Sequence, residues 1–277
     1  MIKIASFGCG VDSVAGLLLA KEQGIEYDEI IFADTGDERP ETYAYLEYFE
    51  HKSGYKITKV KSHLGKIYDY YYNKKVQPTK FRRDCTGKFK ISPIRKYLRN
   101  KYGKKARFEM NIFIDYSEYH RMRNSDVQYC ENKYPLVEQK LDREKLKEII
   151  ISKGYELPIK SGCYFCPFTT KSGWINLRNK HPALWSKSLA MEKNSTMKIP
   201  LIVLKGKESK TLIECSCFNG WWIMAKKYTV ILEFNAKNFQ DGLNKFISFC
   251  RDEDIEILED TFIFRMKRFL TPLSHNF

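Results

Sequence analysis

No stretch of this sequence approaches the roughly 18 consecutive apolar residues that a membrane-spanning helix requires. The N-terminus lacks the order of basic segment, apolar segment and small-residue cleavage site that marks a secretory leader. A soluble, cytoplasmic protein with no membrane partner is therefore expected. Internal repeats and low-complexity tracts are also missing, which argues against solenoid and disordered architectures. Acidic residues are scarce in one region. Between Lys52 and Arg107 there are 19 Lys and Arg but only two acids, Asp69 and Asp84. That segment alone carries +17, more than the whole chain's +14, so the remainder is slightly acidic. A basic block of this density, interleaved with Tyr68, Tyr70, Tyr71 and Tyr72, suits the phosphate backbone and bases of a nucleic acid. A solvated basic face is the plainer alternative.

At 277 residues the chain is long enough for one large domain, or one domain and a small appendage. Ile2–Ala5, Glu29–Ala33 and Lys56–Val60 read as short apolar strands. They are separated by helical patterns over Ser13–Gln23 and Glu41–Lys52, the latter opening after Pro40. This alternation predicts βαβ units and a parallel sheet. An irregular basic stretch up to Thr86 is expected next. A helix over Lys88–Arg99, a strand over Arg107–Ile114 and a charged helix over Asp142–Lys153 follow. The Tyr155–Phe168 segment reads as a loop, with two short helices after it, the second opening at Pro182. Past about Pro200 the texture changes to strand (Tyr228–Phe234), helix (Phe239–Arg251) and strands (Ile255–Phe264). The expected organisation is a domain over 1–195 and a small α+β region over 196–277.

Ser6-Phe7-Gly8-Cys9-Gly10-Val11-Asp12-Ser13 lies between the first strand and the first helix. Ligands of open parallel sheets bind beyond the carboxyl ends of the strands. A glycine-containing loop there can aim backbone N–H groups, together with a helix N-terminus, at phosphate oxygens. Gly8 and Gly10 permit the conformations this needs, and Ser6 and Ser13 add hydroxyls. The Gly-Lys-Ser/Thr ending of a Walker A loop is missing. A capped strand-to-helix turn remains the structural alternative.

The loop resembles the pyrophosphate-binding loop of the PP-loop ATP pyrophosphatases, and more closely that of phosphoadenylylsulfate (PAPS) reductase-like proteins. Further segments resemble that family in order: Phe32–Phe49 (FADTGDERPETYAYLEYF), Cys85–Leu98 (CTGKFKISPIRKYL), Ile114–Arg121 (IDYSEYHR) and Tyr134–Leu136 (YPL). The resemblance covers roughly residues 1–195. It implies an α/β fold of the adenine nucleotide α-hydrolase type, an open, mostly parallel sheet with helices on both faces, followed by the α+β appendage. It also implies that Ser6, Phe7, Gly8, Cys9, Gly10, Asp12 and Ser13 hold ATP phosphates with Mg²⁺, with Asp34 and Thr35 near the nucleoside. Asp12 would position the metal; capping the helix is its other available role. Glu118 and Arg121 match the family, with Arg121 able to pair with a phosphate or simply with a neighbouring carboxylate. Arg83, Lys88 and Lys90 are candidates for the transferred phosphate, Lys90 foremost. Asp12, Lys90 and Arg121 form the expected catalytic set.

The eight cysteines include Cys163-x-x-Cys166, a spacing used for metals and for redox chemistry. Together with Cys85 the pattern resembles that of adenylylsulfate reductases, in which a Cys-Cys pair and a later Cys-x-x-Cys bind a [4Fe–4S] cluster. Here Asp84 stands where the first cysteine of the pair would be. Three readings follow: a three-ligand [4Fe–4S] cluster with one open iron, as in some tRNA-thiolating relatives; a fourth ligand from elsewhere, Cys130 being next in motif order, for iron–sulfur or zinc; or no metal, with thiols that are buried or transfer persulfide. Cys215, Cys217 and Cys250 are read as structural. The Glu-Cys-Gly-x-His setting of a reductase's catalytic cysteine is missing, which argues against sulfonucleotide reduction.

The resemblance therefore implies an AMP- and PPi-forming adenylating enzyme that activates a nucleic acid, DNA or tRNA, for sulfur insertion, with a cysteine desulfurase or another sulfur donor as partner. The alternatives are a PAPS or adenylylsulfate reductase and a nucleotide-binding sensor without turnover.

Overall fold

The computed structural model describes residues 1–80 and 83–197, with the backbone of 221–224 and 229–232. The expected helix over Phe239–Arg251 and strands over Ile255–Phe264 lie outside the described residues. The chain divides into two compact units. One comprises residues 1–168 and 183–198, the other residues 169–182 and 199–277.

The first unit is built on five parallel strands: β1 (Ile2–Ser6), β2 (Glu29–Asp34), β3 (Ile57–Lys61), β4 (Phe108–Ile112) and β5 (Cys130–Lys133), in the order β3-β2-β1-β4-β5. Helices α1 (Val11–Glu22) and α2 (Pro40–Ser53) link the first three strands. α3 (Ile67–Asn73), the short α4 (Asp84–Thr86), a π-helical turn over Gly87–Ile91 and α5 (Ser92–Tyr102) lead to β4. A 3₁₀ turn (Tyr116–Arg121), α6 (Pro135–Glu138), α7 (Arg143–Ser152) and α9 (Pro182–Asn194) complete this unit, Pro182 itself falling in the second. Within the second unit, α8 (Lys171–Lys180) and an antiparallel pair, β6 (Trp221–Met224) with β7 (Thr229–Leu232), are described.

Alternation along the strands produces a core on each face of the sheet. Ala5, Ile30 and Phe32 pack with Val14, Leu17 and Leu18 of α1, Leu46 and Phe49 of α2, and Leu146 and Ile150 of α7. Their sequence neighbours Ile4, Ile31 and Ala33 pack on the other face with Ile94 and Leu98 of α5. β2 is buried along its whole length, as a central parallel strand must be.

Three elements differ from expectation. The stretch before Thr86 is not wholly irregular, because α3 forms where Ile67 and Tyr71, one turn apart, are buried together. β5 was not anticipated: its four residues, Cys-Glu-Asn-Lys, carry little apolar pattern, and their place in the sheet comes from pairing with β4. The expected helix over Lys88–Arg99 is split, with the π turn first and α5 carrying Pro93 in its first turn, where a missing N–H is tolerated.

α1 lies unusually close to the end of β4. A methyl group on Gly16 would sit 2.2 Å from Phe113 Cδ1, so glycine is what permits the approach. That approach sets Asp12, one turn earlier on α1, near Asp115, two residues past Phe113.

Candidate functional site

The order 3-2-1-4-5 reverses direction between β1 and β4, so a crevice opens beyond their carboxyl ends. The loop after β1 lies there. Phe7 is anchored by its N–H to Ile31 O (2.9 Å) and by its ring, stacked on Phe49 at 5.2 Å, so its backbone alone serves the loop. Ser13 Oγ accepts from Gly8 N and Gly10 N, each at 3.2 Å, and donates to Gly10 O at 3.1 Å. Helix α1 thus begins at Val11, two residues earlier than expected, and Ser13 does the capping from inside. Asp12 is not the cap. The first-turn N–H groups of α1 carry the helix's positive end.

Cys9 takes φ +56°, the left-handed region that usually selects glycine. Its side chain is buried and its thiol lies 3.4 Å from Thr42 O, to which it donates. Burial, reinforced by Glu38, pushes that thiol up to about 12. Cys9 therefore offers the loop its backbone and keeps its sulfur as an inert core group.

Beside the loop, ligand oxygens of Asp12, Asp115 and Glu118 lie within 4.8 Å of one another, the one such group of acidic, histidine or cysteine side chains among the described residues. Asp115 caps the 3₁₀ turn by accepting from Ser117 N at 2.9 Å. Arg143, at the first position of α7, reaches Asp12 Oδ1 at 3.1 Å and Asp115 Oδ2 at 3.8 Å. Arg121 is ion-paired with Glu118. Burial raises Asp12 to about 6; Arg143 opposes the rise while Asp115 and Glu118 add to it. Asp12, Glu118 and Arg121 were anticipated. Asp115 and Arg143 were not. Asp115 sat within a quoted motif, whereas nothing local in the sequence distinguishes Arg143 from the other cations of a charged helix.

Asp34 and Thr35, at the end of β2, are held in place. Asp34 Oδ1 accepts from Tyr43 Oη (2.7 Å) and Gly36 N (2.8 Å), Lys61 lies 3.6 Å from Oδ2, and Thr35 Oγ1 donates to Glu38 Oε1 at 3.1 Å.

The Cys163–Cys166 loop docks on the turn after β2. Glu38 and Cys163 form an isolated bridge, Arg39 N donates to Gly162 O (3.3 Å) and Tyr164 N to Asp37 O (3.2 Å). The same loop passes near the phosphate-loop candidate: a methyl on Gly10 would lie 3.2 Å from Ser161 Oγ. The Cys163 thiol donates to Cys166. That hydrogen bond lowers Cys166, aided by the Phe168 N–H and by Lys90 and Lys160, and it raises Cys163. Cys85 is raised by burial and then by the charge of Cys166. Lys90 sits 3.6 Å from Glu38 and faces all three thiols, while the buried Arg39 faces Cys163 and Cys166. The structure thus gathers Cys85, Cys163 and Cys166 around two cations.

Other candidates are placed differently. Lys90 belongs to the thiol cluster and pairs with Glu38. Lys88 is bound to Asp84 at 2.7 Å, and Arg83 lies over the Phe168 ring at 4.9 Å. Cys130 is the first residue of β5, paired with Phe108 at the amino end of the sheet, with its sulfur 4.0 Å from Asn132 Oδ1. The three clustered cysteines lie on the turns at the carboxyl end, so Cys130 is not brought to them. Asp84 also turns away: its two oxygens accept from Tyr71 Oη (2.8 Å) and Lys88 Nζ.

An uncharacterized protein of Methanocaldococcus jannaschii is 25% identical over 200 residues, covering 66% of this chain and 45% of the relative; the chain thus spans less than half of that protein's length. The crystal structure of the PAPS reductase from Candida auris, a phosphate complex, is similar with TM-score 0.42 and 12% identity over 57% of this chain and 75% of that one. The U34-tRNA thiolase NcsA from Methanococcus maripaludis, with its [4Fe–4S] cluster, gives TM-score 0.39 and 15% identity over 79% and 80%. The phosphoadenosine phosphosulfate reductase domain family matches residues 3–109, a span that holds the loop after β1, Asp34, Thr35, Cys85 and Lys90. The part of the chain that is similar to a phosphoadenosine phosphosulfate reductase domain therefore runs from strand β1 into β4.

Proposed function

We propose that this protein is an ATP-dependent, AMP- and PPi-forming enzyme that adenylates a nucleic acid, DNA or tRNA, and prepares it for sulfur insertion. The observation that carries the reading is the proximity of the two halves of the site: Ser161, two residues before Cys163, approaches Gly10 so closely that a methyl there would lie 3.2 Å from its Oγ. Phosphate-binding geometry and thiol chemistry thus share one crevice.

The loop's N–H groups and the α1 N-terminus bind the β- and γ-phosphates of ATP. Asp12, Asp115 and Glu118 offer closely grouped carboxylate oxygens, a hard donor set that fits Mg²⁺. Arg121 and Arg143 then offset the charge of departing PPi. A substrate oxygen displaces PPi from the α-phosphorus, and a sulfur nucleophile later displaces AMP. Cys85, Cys163 and Cys166 offer soft donors suited to a [4Fe–4S] cluster, and Lys90 and Arg39 balance the negative charge of the thiolates; their sulfurs are not grouped within the 4.8 Å that would favour a single zinc ion. Such a cluster supplies sulfur or electron chemistry next to the activated substrate. A cysteine desulfurase or another sulfur carrier is the implied partner.

The test combines two measurements on anaerobically purified protein. PPi release from ATP that rises when nucleic acid is added is the expected result, with about four irons per chain and a broad absorption band near ~400 nm. Sulfite release from PAPS without ATP turnover would establish reduction instead. Binding of ATP without PPi release would leave a sensor.

A further inference from the structure

Helix α3 carries five aromatic or aliphatic side chains in seven residues, and they do not all serve the core. Ile67 and Tyr71 point inward. Tyr68 and Tyr72, also one turn apart, instead stack on each other at 5.4 Å and 17°. Tyr72 is the outer member and is 36% exposed. Behind Tyr68 the aromatic contacts continue, tilted against Tyr164 (5.9 Å, 31°) and edge-on to Phe165 (5.6 Å, 78°), the two residues between Cys163 and Cys166. An aromatic ladder therefore runs from the thiol cluster to the surface.

The ladder emerges among cations. Lys66, Lys74, Lys75 and Lys187 are exposed around it. Lys187 Nζ lies 5.9 Å from the Tyr68 ring, and Lys74 Nζ lies 4.7 Å from the neighbouring Tyr70 ring. α9 fixes this arrangement: Tyr68 Oη donates to Lys187 O (3.1 Å) and Asn194 Nδ2 to Tyr72 O (2.7 Å). Stacked rings that end on an exposed face, flanked by lysines in the segment of highest positive charge, match the chemistry of an unpaired nucleotide: a flat base with phosphates on either side. A duplex, whose bases are already stacked, has no free face to offer.

We propose that Tyr68 and Tyr72, with Lys66, Lys74, Lys75 and Lys187, form a platform on which an unpaired base of the nucleic-acid substrate stacks while its flanking phosphates meet the lysines. This rests on the nucleic-acid reading above and assigns the surface that reading lacks.

The test measures binding of labelled single-stranded DNA, single-stranded RNA and duplex DNA to the full chain over a range of salt. Wild type should prefer unpaired strands. Tyr72→Ala should weaken binding by about 5- to 100-fold, as expected for one lost base stack, whereas Tyr72→Phe should stay near wild type. Lys74→Ala combined with Lys187→Ala should lower the slope of log K against log salt by about 1.4. ATP binding and melting temperature, unchanged in each variant, control for folding. If wild type binds unpaired strands and both variants bind equally well, the platform is wrong and the nucleic-acid reading stands. If wild type binds no nucleic acid at any salt but still releases PPi, the nucleic-acid reading itself fails. Tyrosine-dependent binding of phosphatidylserine vesicles without strand binding would overturn the platform in favour of a membrane.

Discussion

Replacing Gly16 by alanine tests whether the approach of α1 to the end of β4 builds the site. The new methyl would lie 2.2, 2.5 and 2.8 Å from Phe113 Cδ1, Cε1 and Cγ. Ordinary carbon contacts begin near ~3.5 Å, so the ring or the helix must move by about 1 Å. Overpacking of this kind costs about 1–3 kcal/mol, and the 2.2 Å contact places it at the upper end. Alanine's better helix propensity returns about 1 kcal/mol. A net loss of about 2 kcal/mol is expected in urea denaturation. Because Phe113 leads into Asp115, the displacement should also separate Asp115 from Asp12 and weaken ATP binding in the presence of Mg²⁺. Phe113→Leu should restore part of both losses when combined with Gly16→Ala, giving a favourable coupling in a double-mutant cycle. A neutral or stabilising Gly16→Ala would refute the reasoning, as would additivity of the two changes.

Three further outcomes follow from the site. Asp12 binds its proton more tightly in the folded protein, about 6 against an ordinary 3.8, so its contribution to stability is lost as pH rises from about 4 through about 6. The gap sets a ceiling of about 3 kcal/mol, so metal-free Asp12→Asn should be more stable than wild type at pH 7 and equal to it near pH 4; a pH-independent difference in urea midpoints would contradict this. Cys85→Ala, Cys163→Ala and Cys166→Ala should each lose bound iron in metal analysis, while Cys130→Ala, altered at the far end of the sheet, should keep it. In the metal-free protein at pH 7, iodoacetamide should modify Cys166 first among the five cysteines of the described residues and leave Cys9 untouched, as peptide mass mapping would read; early labelling of Cys9 would contradict its burial against Thr42 O.

Local rules carried much of the fold. Alternating apolar strands and helices punctuated by Gly24, Pro40 and Gly54 are enough to announce parallel βαβ units, since each element's period is written in a dozen residues. The glycine loop, the Cys-x-x-Cys pair and the two helices after Phe168 were legible for the same reason. Short or pattern-poor elements were not. β5 exists through its hydrogen bonds to β4, and α3 through the burial of two residues amid a basic, tyrosine-rich run that looks irregular in isolation.

The chemistry of individual side chains divides along the same line. That a glycine loop and a thiol group are present follows from residue types at fixed local spacing. Which groups meet depends on contacts between residues far apart in the chain. Folding carries Arg143 across 131 positions to Asp12, sets Lys90 beside Glu38, and sends Cys130 to the opposite end of the sheet. It also buries the sulfur of Cys9 in the core and leaves only that residue's backbone to the loop. Spacing along the chain specifies turns and periods; strand order and close packing choose the partners of each charged or sulfur-bearing group, because only they bring distant segments within the few ångströms over which such groups interact.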